Sequence, residues 1–154
     1  MTLLDRIPSG TLVAVDTAPW IYAFEINPRY EPILRPLFDL RFATGLNRAG
    51  ASALVVAEIL THPISLGRHD LVATYRHFFQ DAGRVAVWTV DNSVAERAAT
   101  LRVKYRLKLI DALHVAAAIE NTAAVFVRND VELRRVTEIP VLVLDDFLLQ
   151  MNAP

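Results

Sequence analysis

Short β-branched apolar runs recur along the chain, each followed by a helical pattern, and this alternation constrains the fold most. TLVAV (11–15), RVAVWTV (84–90), AAVFVR (123–128) and PVLVL (140–144) each have strand length and too few polar residues to leave a face in water. Strands buried on both faces and separated by helices form βαβ units, so the sequence predicts one α/β domain over residues 1–154, with a mainly parallel sheet between two helical layers. The hydrophobic fraction of 53% and charged fraction of 21% are those of a packed globular chain.

The helices are read from periodicity and punctuation. One is expected from Pro19 to Glu25, and a second in EPILRPLFDLRFATGLNRAG, where Leu34, Leu37, Phe38 and Phe42 have helical spacing. ASALVVAEILTHP reads as a short strand running into a helix at Ser52, with Pro63 as the stop. In HDLVATYRHFFQDAG, Asp70 is the expected cap and Gly83 the stop. DNSVAERAATLRVKYRL, DALHVAAAIENT and DDFLLQM supply the remaining helices, with a helical turn after Asp130, and Asp145 and Asp146 read as caps.

Composition excludes some chemistry. Without cysteine there is no disulfide, thiolate metal site or cysteine nucleophile, so any metal must take oxygen or imidazole ligands. The start MTLLDRIPSG has neither a signal-peptide core nor a membrane span, so a cytoplasmic protein is expected. A net charge of −1 gives no general attraction to nucleic acid, which leaves such binding to a local basic patch. Of the 16 basic residues 14 are arginines, which suit bidentate phosphate contacts; a general arginine preference explains this equally.

In parallel α/β sheets ligands bind beyond the carboxyl ends of the strands. Asp16 follows LVAV and Asp130 follows VFVRN; Glu58 lies among apolar neighbours in LVVAEIL, and Asp111 opens an apolar helix. Singly, the three aspartates also read as helix caps and Glu58 as a snorkelling or arginine-paired residue. Jointly, four converging carboxylates repel one another unless a cation is present. Mg²⁺ or Mn²⁺ takes oxygen ligands and completes its shell with water and phosphate, which is the chemistry of phosphodiester hydrolysis.

With these residues in place, the sequence resembles a PIN domain, the metal-dependent ribonuclease fold of the toxins in VapBC toxin–antitoxin pairs. The resemblance rests on Asp16 in VAVDTAPWIYAFE, Ser52 and Glu58 in SALVVAEIL, Asp111 in KLIDALHVAAAI and Asp130 in VFVRNDVEL. It implies a three-layer α/β/α sandwich, catalytic and metal-binding roles for Asp16, Glu58, Asp111 and Asp130, Mg²⁺ or Mn²⁺ as cofactor, and endonucleolytic cleavage of RNA. It also implies an antitoxin partner and a homodimer, in line with the aromatic and aliphatic surplus of Trp20, Tyr22, Phe24 and LRPLFDLRF.

Arg128 departs from the family pattern, which has threonine or serine two residues before the fourth acid. It is expected to contact a scissile phosphate, the alternative being a pairing with site carboxylates that displaces metal. Ser52 and Asn129 are further candidate RNA or phosphate contacts. His114, three residues after Asp111 on the same helix face, is read as a packing residue outside the catalytic set. Two other classes stay open: a PIN-like binding module without catalysis, and a receiver-like phosphoacceptor domain.

Overall fold

A computed structural model describes the backbone of residues 1–151 and the side chains of residues 1–148; the last three residues of the expected domain lie outside the described residues. Five strands, β1 (Leu12–Val15), β2 (Arg48–Ser52), β3 (Val85–Trp88), β4 (Val125–Arg128) and β5 (Val141–Val143), form one sheet in the order β3-β2-β1-β4-β5. All four pairings are parallel. The chain moves outward from β1 through β2 to β3, then returns to lay β4 on the other side of β1. The carboxyl ends of β1 and β4 therefore flank the switch point, where a parallel sheet opens a crevice.

Among the described residues seven α-helices cover the two faces: α1 (Thr17–Phe24), α2 (Glu31–Leu37), α3 (Ala53–Ser65), α4 (His69–Gln80), α5 (Asn92–Tyr105), α6 (Leu109–Glu120) and α7 (Leu144–Met151). Strand side chains alternate between two cores, as the pleat requires. Val13, Val15, Ala49, Ala51, Val125 and Val127 pack with α1 to α4 and α7, whereas Ala14 and Phe126 pack with α5 and α6. The expected three-layer α/β/α sandwich is the observed fold.

Several local expectations are corrected. Helix α1 begins two residues before Pro19, because the Asp16 carboxylate accepts from the Thr17 amide and caps it. The strand before Glu58 is RAGAS, and α3 continues past Pro63 to Ser65. Asp70 does not cap α4; it lies inside the first turn and pairs with Arg68, and the helix ends at Gln80, ahead of Gly83. Helix α2 runs on into a π-helical segment, Phe38–Phe42.

Asp145 and Asp146 fall inside α7, bonded to Tyr30 and Arg134, and so are not caps. Trp20 is fully buried, with Phe38, Phe78 and Phe79 edge-on around it at 5.1–5.5 Å, so the core absorbs much of the aromatic surplus.

Candidate active site

The crevice is built by the local rules that end each strand. Asp16 follows β1; its amide donates to the Val127 carbonyl of β4 at 2.9 Å, and its Oδ1 accepts from the Thr17 amide at 2.9 Å. Backbone pairing on one side and helix capping on the other thus fix the carboxylate. Asp16 is only 8% exposed, and burial, the largest influence, pushes its pKa up against the opposing pull of His114 and Arg128.

Asp130 leaves β4 in the same way, capping a short 3₁₀ turn, Val131–Arg135, by accepting from the Glu132 amide at 2.9 Å. The other two acids descend from opposite layers. Glu58 comes from α3 in one layer, Asp111 and His114 from α6 in the other. Glu58, despite its apolar neighbours in sequence, keeps a side chain that is 42% exposed, since Val55 and Ile59 take the core-facing positions of α3. Asp111 is not a cap either. Helix α6 begins at Leu109, so Asp111 is its third residue, in the turn whose free amides favour negative charge.

Arg128 differs most from its expected role. Its side chain is 5% exposed and turned into the acids: Nη2 lies 3.1 Å from Asp130 Oδ2 and 3.4 Å from Asp111 Oδ1, and Nε lies 3.6 Å from Asp16 Oδ2. A guanidinium so enclosed is not free to meet a phosphate, and the pairing alternative is the one observed. Nε and Nη1 are buried without a hydrogen-bond partner, so the group is held by the two hydrogen bonds that Nη2 donates to Asp111 and Asp130 and by the nearby charge of Asp16.

The two other expected phosphate contacts have their donors engaged within the chain, while Asn129 Oδ1 is buried without a partner. Ser52 is buried with its Oγ 2.8 Å from His114 Nδ1. The Asn129 amide donates to Tyr30 Oη at 2.8 Å, and Tyr30 in turn donates to Asp145 at 2.9 Å.

His114, read from the sequence as a packing residue, is buried and also has polar contacts at both ring nitrogens. Its Nε2 stands 2.9 Å from Glu58 Oε2 and 3.9 Å from Asp16 Oδ1, while Nδ1 meets Ser52. Glu58 also accepts from the Thr17 hydroxyl. The helical spacing of His114 from Asp111 was visible, but its partners lie 62 and 56 positions away and left no local mark. Asp16, Glu58 and His114 bring ligand atoms within 4.8 Å of one another, a carboxylate and imidazole set that fits a divalent cation. Asp111 and Asp130 do not join that group; they face Arg128.

A family model described as the PIN domain matches residues 13–139, a span that contains all four acids. The chain belongs to the PIN domain family. Among solved structures, this PIN domain is similar to the DNA-bound VapBC of Salmonella typhimurium (TM-score 0.67, 17% identity, covering 87% of this chain and 98% of that one). It is similar also to VapBC2 of Rickettsia felis bound to a promoter DNA fragment (TM-score 0.65, 19% identity, 86% and 98%). A third is the Sarcin-Ricin loop cleaving toxin VapC20 of Mycobacterium tuberculosis (TM-score 0.60, 16% identity, 74% and 86%). A search of curated proteins found no match. Among the described residues no helix is long and apolar enough to cross a membrane.

Proposed function

We propose that this PIN domain is a divalent-metal-dependent endoribonuclease and the toxin of a toxin–antitoxin pair. The observation that carries the reading is the convergence of Asp16, Glu58, Asp111 and Asp130 from four separate elements onto one crevice at the carboxyl edge of the sheet. Asp16, Glu58 and His114 hold the ion; Asp111 and Asp130 form the opposite wall. Mg²⁺ or Mn²⁺ held there would supply Lewis-acid activation of a water and charge neutralisation at the scissile phosphate. The chain's part is orientation: the Thr17 amide and hydroxyl fix Asp16 and Glu58, and Ser52 holds the His114 ring.

With Arg128 enclosed, the RNA backbone needs other cations. Arg106 and Lys108 are exposed in the link between α5 and α6, on either side of Leu107, and neither forms an ion pair among the described residues. They supply the local basic patch that a chain of net charge −1 requires.

The antitoxin meets the groove between α1, α2 and α4, lined by Tyr22, Phe24, Ile26, Leu34 and Phe78. That reading is supported by the toxin–antitoxin complexes among the similar structures, and the toxin itself is a homodimer, which light scattering at micromolar concentration checks. A non-catalytic module is disfavoured, since Glu58 and His114 stand outside the grip of Arg128.

The test is cleavage of single-stranded RNA by metal-stripped protein with Mg²⁺ or Mn²⁺ restored. The expected result is metal-dependent cleavage that Asp111→Asn abolishes in a protein that remains folded. Cleavage by that folded variant at the parent rate removes the site assignment, and cleavage in excess chelator removes the metal dependence.

A further inference from the structure

We propose that the crevice takes a single divalent ion per chain, at the Asp16–Glu58–His114 corner, and that Arg128 is a built-in cation standing where a second ion would lie between Asp16, Asp111 and Asp130. The inference rests on the metal-dependent reading above and deepens it.

The two oxygens of Asp16 divide the site. Oδ1 faces His114 Nε2 at 3.9 Å and Oδ2 faces Arg128 Nε at 3.6 Å, so one carboxylate serves two cationic positions. On the Oδ2 side the guanidinium already occupies the space among three acids, with Nη2 3.4 Å from Asp111 and 3.1 Å from Asp130. It cannot leave easily. Arg128 is the last residue of a strand paired on both edges, opposite Val143 on one side and directly after Val127, the partner of Val15, on the other. Its planar, delocalised charge faces all three carboxylates at once. A second dication would have to approach this fixed positive charge through acids that it already neutralises.

On the Oδ1 side no arginine or lysine among the described residues intervenes. Asp16, Glu58 and His114 offer ligand atoms within 4.8 Å of one another. The Ser52 hydroxyl, 2.8 Å from His114 Nδ1, either donates or accepts. When it donates, His114 Nε2 carries the proton and bonds Glu58; when it accepts, Nε2 presents a lone pair to an ion. The mixed oxygen and nitrogen set makes this corner select Mn²⁺ over Mg²⁺, which keeps to oxygen ligands.

Mn²⁺ binding to the metal-stripped full chain tests this, read by calorimetry together with electron spin-echo spectroscopy of bound Mn²⁺. The parent is expected to bind one ion with nitrogen modulation that His114→Gln removes, and Glu58→Gln is expected to weaken binding at least tenfold. Arg128→Thr, its fold verified by circular dichroism, is expected to bind two.

Asp130→Asn provides an arm independent of that variant's folding: it keeps one ion, since Asp130 serves the guanidinium. Two ions in the parent, a folded Arg128→Thr that still binds one, or loss of the ion in Asp130→Asn overturns the proposal while leaving metal-dependent hydrolysis standing. No Mn²⁺ binding by the parent at millimolar metal overturns both.

Discussion

Ser52 occupies a position where its role is easily mistaken. It is the residue before α3, where a serine hydroxyl ordinarily bonds the free amides of the first turn, and its loss there costs about 1 kcal/mol through the helix end. Here the hydroxyl makes no such bond and instead reaches His114 Nδ1 at 2.8 Å, with both residues buried. Ser52→Ala therefore leaves an imidazole nitrogen unpaired away from water, which costs about 1–3 kcal/mol. With a urea slope of about 2 kcal/mol/M, a loss of 2 kcal/mol lowers the unfolding midpoint by about 1 M.

The assay is a double-mutant cycle of Ser52→Ala and His114→Ala in urea. If the hydroxyl acts through His114, removing it from the His114→Ala background costs little, and the coupling is about 1–2 kcal/mol. Additive effects, with coupling below about 0.5 kcal/mol, would show that Ser52 serves the helix end and refute the account of how His114 is held.

Three further outcomes are expected. At Gly50 an added Cβ would meet the Trp88 ring at 2.1 and 2.5 Å, so Gly50→Ala should cost about 1–3 kcal/mol by overpacking and shift tryptophan emission to the red; unchanged melting and emission would contradict it. Partial burial opposes ionisation of Glu138, but hydrogen bonds from Lys104 and Tyr105 outweigh it and hold its pKa down to about 2, against an ordinary 4.5. A depressed folded pKa stabilises the fold above the unfolded value and loses that contribution as pH falls, so the melting difference between parent and Glu138→Gln should be full above pH 4.5 and vanish towards pH 2. Replacing Arg106 and Lys108 by alanine should weaken single-stranded RNA binding and lower its log–log salt slope by about 1.4, and an unchanged slope would move the phosphate contacts elsewhere.

The order of strands and helices was legible because burial on both faces leaves an unmistakable mark in a sequence. So were Asp16 and Asp130, since each must follow a strand for the backbone to turn into the next element. Glu58 was harder: its neighbours in LVVAEIL are apolar, yet the helical period puts Val55 and Ile59 inward and Glu58 at the crevice.

What stayed hidden depends on distant partners. Nothing local distinguishes a histidine that packs from one held between Ser52 and Glu58, and nothing local shows that Arg128 turns inward, because the acids that draw it come from three different elements. Asp111 lost its expected capping role for a simpler reason, the helix beginning two residues earlier at Leu109.

Asp16 gives the most direct test of the central claim, that a buried carboxylate shared by both halves of the crevice sustains metal-dependent RNA hydrolysis. Asparagine keeps the shape and can still cap α1, and because burial works against the Asp16 charge, its removal should not lower the melting temperature. The measurement is the single-turnover rate of single-stranded RNA cleavage at saturating Mn²⁺ for the parent and Asp16→Asn, with melting recorded alongside. The account predicts a rate at least about 10²-fold lower, in the range found when a charge-stabilising group is removed, at an unchanged or higher melting temperature. A folded Asp16→Asn protein that cleaves at the parent rate contradicts it.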